Sequence, residues 1–299
     1  MKKRFFVMFS VSRALGVRFT QYMKEIGLIE FWEEPHNERA LPHMYHTLDA
    51  EDDRLAKLRE ILTREGIQWT EREEHVYTDA ELREFPLLEL SVDRKPLVGG
   101  GPEYGTQYDM STSCPQCGTG ATQISPLMLP LEGFPKKGMI CQTGRGHILV
   151  GSRLAEVLAA QQLTGLELRQ AIFYRNDEPL GWWQIIAPHV LGRMTLREGG
   201  LGRDESPGWG CMSCRRDMFG GVLDDGFSPN FTRAAADVYS IPEVISTWEC
   251  FGRSVLKDDP ARSLIRGFAQ PLIMVKPKVF DIIRGLKVKQ ASFTPIRIE

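Results

Sequence analysis

Four of the six cysteines in this 299-residue chain form two Cys-x-x-Cys pairs, Cys114-Pro-Gln-Cys117-Gly and Cys211-Met-Ser-Cys214-Arg. Two-residue spacing lets one tight turn aim both thiolates at a single metal, and zinc accepts four soft sulfur ligands tetrahedrally. Pro115 and Gly118 suit the first turn, whereas Arg215 follows the second pair. Ninety-three residues lie between Cys117 and Cys211, far beyond the roughly 15–20 of a compact ribbon. One shared site therefore requires the intervening chain to loop out and return. The expectation is a single structural zinc held by Cys114, Cys117, Cys211 and Cys214, because four thiolates fill the shell and catalysis needs an open position. Two separate sites are the alternative, with Cys141 and His147 as the local candidates to complete the first. Redox dithiols are a third reading, but neither pair opens a helix in a β-α-β setting.

The other reactive side chains are scattered. His43 and His46, with His36, Glu33 and Glu38, form a second candidate metal cluster, set against polar histidines that bind nothing. Cys141 and Cys250 could act as nucleophiles only beside an activating base, and buried core cysteines are the simpler reading. Asp224 and Asp225 have no evident catalytic partners. With no acid, base and nucleophile set in view, the favoured expectation is a non-enzymatic binding protein, and a hydrolase or transferase using Cys141, His147 or Asp224 and Asp225 is the third reading. Trp182, Trp183, Trp209 and Trp248 could stack on bases, and Lys276, Lys278, Lys287, Lys289 and Arg297 could face a phosphate backbone. A net charge of −2, from 37 basic and 39 acidic residues, favours core aromatics and a solvated basic face instead.

The elements that must carry these groups follow from periodicity. Hydrophobic residues make up 42% and charged ones 25%, which excludes disordered and disulfide-dense classes. Phe5 to Val11 reads as a strand and Ala14 to Ile26 as a helix. Residues 52–65 form a second helix, since Leu55, Leu58, Ile61 and Leu62 recur at helical spacing and Gly66 supplies a stop. Trp69 to Tyr77 is a strand, and Thr78-Asp-Ala-Glu81 has the form of a capping box before the apolar stretch Leu87 to Val92. Residues 1–95 carry 15 basic and 19 acidic side chains, so the front of the chain is mildly acidic and the rest mildly basic. Pro96 to Gly105 reads as a Gly/Pro linker; a phosphate loop would need a Gly-Lys-Ser/Thr ending that is missing. The opening Met1 to Arg13 imitates a signal peptide, but a buried first strand explains its short apolar run, and the expected location is the cytoplasm, away from membranes.

A repeat lies in the second half. Sliding residues 148–173 by 125 positions places them on 273–298 without a gap. Val150 then meets Val275, Leu154 meets Val279, Val157 meets Ile282, and Phe173 meets Ile298. Each copy predicts a short strand, a helix and a second strand. Ser152 is expected to cap one helix and Pro277 to open the other. The alternation slips at Gln170 and at Pro295, which predicts a bend or bulge in both copies. The predicted class is α+β: an amino-terminal α/β-sandwich-like unit over 1–95, a linker over 96–110, and a zinc-knuckle domain over 111–299. That last domain is a duplicated strand-helix-strand body, with halves at about 111–198 and 199–299, joined by a zinc-ribbon-like four-cysteine site.

Through Cys114-Pro-Gln-Cys-Gly, the second Cys-x-x-Cys, and the closing Pro271-Leu-Ile-Met-Val-Lys-Pro-Lys-Val-Phe-Asp-Ile-Ile and Ala291-Ser-Phe-Thr-Pro-Ile, the chain resembles the bacterial double-CxxCG motif proteins. The likeness covers roughly residues 110–299, and Arg215 stands where the second motif would have glycine. Some members of that group look like immunity proteins that neutralise a cognate toxin in interbacterial competition. The resemblance thus implies a zinc-stabilised, toxin-antitoxin-like protein acting by protein–protein interaction. The competing expectation is a zinc-ribbon protein that binds nucleic acid, in regulation or phage defence.

Overall fold

Alternation builds the first strand: Val7 and Phe9 are buried, with Val11 just beyond, while Arg4 and Met8 are exposed on the opposite face. The computed structural model describes residues 2–11, 13–28, 43–92, 99–116, 118–135, 138–193, 213–214, 216, 230–231, 240–251 and 270–298. The architecture is mixed α+β, mostly strand, with five helices among the described residues. It divides into two compact units, Met1–Glu81 and Leu82–Glu299.

In the first unit, β1 (Lys2–Ser10) leads to α1 (Arg13–Glu25), β2 (His43–Asp49), α2 (Asp53–Arg64) and β3 (Trp69–Val76). β1 is the centre of an antiparallel sheet of order β2-β1-β3. The leucine-isoleucine stripe of α2 is buried as its spacing requires, and joins Phe19, Met23, Val7, Phe9 and Leu48 in one core. Asp52 caps α2 by accepting the Arg54 amide at 2.9 Å. The helix stops at Gly66, whose φ of +64° suits glycine. The capping box also forms: the Glu81 amide donates to Thr78 Oγ1 at 3.2 Å, and the Thr78 amide to Glu81 Oε2 at 2.9 Å, opening α3 (Asp79–Arg83).

The second unit begins earlier than residue 95. Strand β4 (Leu88–Val92) pairs with strands from the far end of the chain, because its buried leucines need partners on both sides. Residues 99–105 are also packed rather than a free spacer. A single 3-10 turn at Pro102–Tyr104 sets the Tyr104 ring 5.0 Å from that of Tyr174, and Glu103 pairs with Arg145 at 2.9 Å. A methyl group on Gly100 would lie 2.5 Å from Leu129 Cδ2.

Next come β5 (Tyr108–Asp109), β6 (Thr122–Gln123), β7 (Met128–Leu129), β8 (Ile140–Gln142), β9 (Ile148–Gly151), α4 (Ser152–Ala160), β10 (Glu167–Phe173) and β11 (Pro179–Ile186). They give a β5-β6 hairpin and a five-stranded sheet of order β7-β10-β11-β9-β8. The remaining elements are β12 (Asn230–Phe231), β13 (Val244–Phe251), β14 (Gln270–Val275), α5 (Pro277–Gly285), β15 (Ala291–Pro295) and β16 (Arg297–Ile298). Here the sheet order is β13-β14-β4-β15, with β12 and β16 paired separately.

The segments aligned in sequence fold alike. α4 and α5 coincide end for end under the same displacement, and α4 packs against α5. The left-handed residue after each helix, Gln162 at φ 50° and Lys287 at φ 55°, also coincides. The expected irregularities occur: β10 shifts register between Gln170 and Ile172, and β15 ends at Pro295 before β16 resumes at Arg297. Pro277 opens α5 as expected. Ser152 does not cap α4. Gly151 holds the cap position, and Ser152 Oγ instead donates to the Gly181 carbonyl at 3.0 Å.

Candidate metal centre

The β5-β6 hairpin positions the first cysteine pair. Tyr108 pairs with Gln123 and Asp109 with Thr122, so residues 110–121 form its loop. Asp109 starts the turn by accepting the Ser111 amide and hydroxyl, both at 2.9 Å, and that backbone bond, with the hydroxyl's, holds its carboxyl below the ordinary carboxylate range. The Cys114 amide donates to the Thr119 carbonyl at 2.9 Å, and the Gly118 amide to the Cys114 carbonyl at 2.8 Å. Gly118 and Gly120 take φ values of +74° and +93°, the reversals that a closed knuckle turn demands. Cys114 is buried inside this turn.

The second pair is represented by Cys214, half-buried in a turn. Two residues on, Arg216 ties this segment to β13: its carbonyl accepts the Cys250 amide at 2.7 Å and its Nε donates to the Trp248 carbonyl at 3.0 Å. The Arg216 guanidinium lies over the Trp248 ring at 5.0 Å, and Arg193 lies over the same ring at 4.2 Å. The tip of Arg216 reaches the first knuckle, where a methyl group on Gly120 would stand 2.5 Å from its Nη1 and 3.5 Å from the Thr112 carbonyl. A side chain from the segment that follows the second pair thus lies beside the loop that carries the first. Cys117, Cys211 and Arg215 lie outside the described residues. Among the described residues, no three His, Cys, Asp or Glu side chains converge as a metal site.

The other candidate ligands lie on β2 and around β8 and β9. Cys141 sits on β8 opposite Leu149, buried with Leu127, Leu129 and Ala171. His147 is half-buried, with its Nε2 shielded from solvent; its amide donates to Thr143 Oγ1 at 3.1 Å, and its Nδ1 lies 3.4 Å from Gln184 Nε2. Burial, with help from Arg145, pushes its pKa down to about 4, so the imidazole is neutral. His43 and His46 occupy a strand rather than a helix, and positions three apart on a strand belong to opposite faces. His46 is buried beside Phe9, with its pKa lowered by burial and by Arg54. His36, Glu33, Glu38, Trp209, Asp224 and Asp225 lie outside the described residues.

Trp182 is a packing residue, 5.4 Å from Phe134 and against the core of the five-stranded sheet. Cys250 is likewise buried. Sequence reasoning missed Arg216, Arg193 and the role of Trp248, since nothing in their spacing places two guanidinium groups over one ring. It also missed two buried polar residues at mid-strand, Gln184 and Glu89. Gln184 exchanges 2.9 Å hydrogen bonds with Gln123, whereas burial raises the Glu89 carboxyl to about 7. No helix among the described residues is long and apolar enough to cross a membrane. No protein-family model matches the chain, and no curated protein matches its sequence.

Proposed function

We propose that this is a zinc-stapled protein-binding protein whose metal is structural, and that it serves as an immunity protein against a cognate bacterial toxin. The observation that carries the shared site is the approach of Arg216 to Gly120, which joins the neighbourhoods of the two cysteine pairs. Cys114, Cys117, Cys211 and Cys214 would hold the ion. Four thiolates would complete a tetrahedral shell and supply a cross-link, with no position left for substrate or water. Cys114 fits that role, being buried in a turn with two left-handed glycines. The toxin partner rests on the resemblance of the knuckles and the closing segment to double-CxxCG proteins.

Metal content tests the site directly. Purified protein is expected to carry one zinc per chain, and Cys114→Ser and Cys214→Ser should each lose it together with thermal stability, because metal binding is coupled to folding. Full zinc in either variant would refute the shared site. The partner is tested by titrating the protein against the product of a neighbouring toxin gene and by rescue of cells expressing that toxin. No binding and no rescue would refute the immunity reading while leaving the metal standing.

A further inference from the structure

The two sheets of the second unit share one strand plan. In the first, the order is β10-β11-β9-β8; in the second, it is β15-β4-β14-β13. The sequence repeat equates β9 with β14 and β10 with β15, and the registers then match residue by residue. Val150 opposes Ile140 and Trp183, while Val275 opposes Val244 and Leu88. Leu168 opposes Ile185, and its counterpart Phe293 opposes Leu90. Arg169 opposes Gln184, and its counterpart Thr294 opposes Glu89. Even the outermost short pairs agree: β7 runs parallel to Ile172 and Phe173, and β12 runs parallel to Arg297 and Ile298.

These matches make β11 the counterpart of β4, β8 of β13 and β7 of β12. Read along the chain and leaving aside β5 and β6, whose counterparts would fall outside the described residues, the order is the same twice: leading strand, cysteine pair, short parallel strand, edge strand, strand, helix, strand. Yet β4, at the head of the first series, lies between β14 and β15 of the second, and β11, at the head of the second, lies between β9 and β10 of the first. Both leading strands also bury one polar side chain at the same register, Glu89 and Gln184.

We propose that residues 87–173 and 182–298 are two copies of one unit that have exchanged their leading strands. The slot between β14 and β15 and the slot between β9 and β10 are therefore strand-binding sites, each made for the leading strand of a second copy of the same unit. Within this chain the other copy supplies it. Neither copy completes its own sheet, since without the inserted strand the two flanking strands would each face a missing ladder of backbone hydrogen bonds. The exchange is independent of any metal.

The test uses the full-length protein and amide hydrogen exchange. Leu90→Ala, a buried change on β4, is expected to speed exchange in β14 and β15 at least about tenfold while leaving β9 and β10 unchanged. Ile185→Ala on β11 should do the reverse. Equal acceleration of both sheets by either variant, or an effect confined to the variant's own copy, would overturn the proposal. If Leu90→Ala does not fold, a protease site placed at Asn176-Asp177, in the turn between β10 and β11, gives the second measurement. The nicked fragments should elute together at intact mass under native conditions, and their separation would overturn the exchange.

Discussion

Glu89→Gln should stabilise the second unit above neutral pH and change little in acid. Glu89 is 6% exposed at the middle of β4, opposite Met274 and Thr294. Burial alone raises its pKa from 4.5 to about 7. Between those values the folded chain holds a proton that the unfolded chain has released, so stability falls as pH rises through that window. The fall begins near the unfolded value and is complete above about 7, and the gap corresponds to about 3 kcal/mol. Glutamine keeps the shape, cannot ionise, and is the residue found at the matching register of the other sheet as Gln184. Urea unfolding of wild type and variant from pH 4 to 8.5 checks the reasoning. The two should agree near pH 4, and the variant should be more stable by about 3 kcal/mol at pH 8. His147 contributes a slope of opposite sign, but it is common to both proteins and cancels in the difference. A difference that does not vary with pH, or a wild type that is the more stable at pH 8, would refute the account.

Further outcomes follow from the same structure. The half-buried, neutral His147 should cost the wild type stability, up to about 3 kcal/mol, as pH falls from 6.5 towards 4, because the unfolded chain takes up the proton first; His147→Gln should flatten that limb in urea titrations. Gly120→Ala sets a methyl group against Arg216 at a φ of +93°, and thermal unfolding should show a loss of about 1–3 kcal/mol together with less zinc per chain. Gly285→Ala, with a normal φ and nothing within 4 Å of the new methyl, should instead gain about 0.4–1 kcal/mol in the same assay. Leu58→Ala, in the core of the first unit, should cost about 2–5 kcal/mol in urea unfolding.

Local elements were legible because their signals are local. The stripe of α2, the capping box at Thr78 and Glu81, and the alternation of β1 each depend on neighbours within one turn or one strand. The displacement between the two strand-helix-strand segments was legible for the same reason: helix ends, left-handed turns and strand breaks are local events, and they recur in both. For His43 and His46 the spacing alone left the arrangement open, because spacing by three means one face on a helix and two faces on a strand, and the backbone decides which.

The sequence by itself determined the α+β class, most element positions in the first unit and the spacing of the cysteine pairs. Only the tertiary structure decided where the units divide, which sheet each strand enters and what stands next to the knuckles. β4 has the apolar pattern of any buried strand, and nothing in its five residues says that its partners lie some 200 positions away. Ladder hydrogen bonds carry no sequence address, so pairing is chosen by the fit of whole faces and by chain closure. The same holds for Arg216, whose place between Trp248 and Gly120 arises from segments that meet only when the second unit has folded.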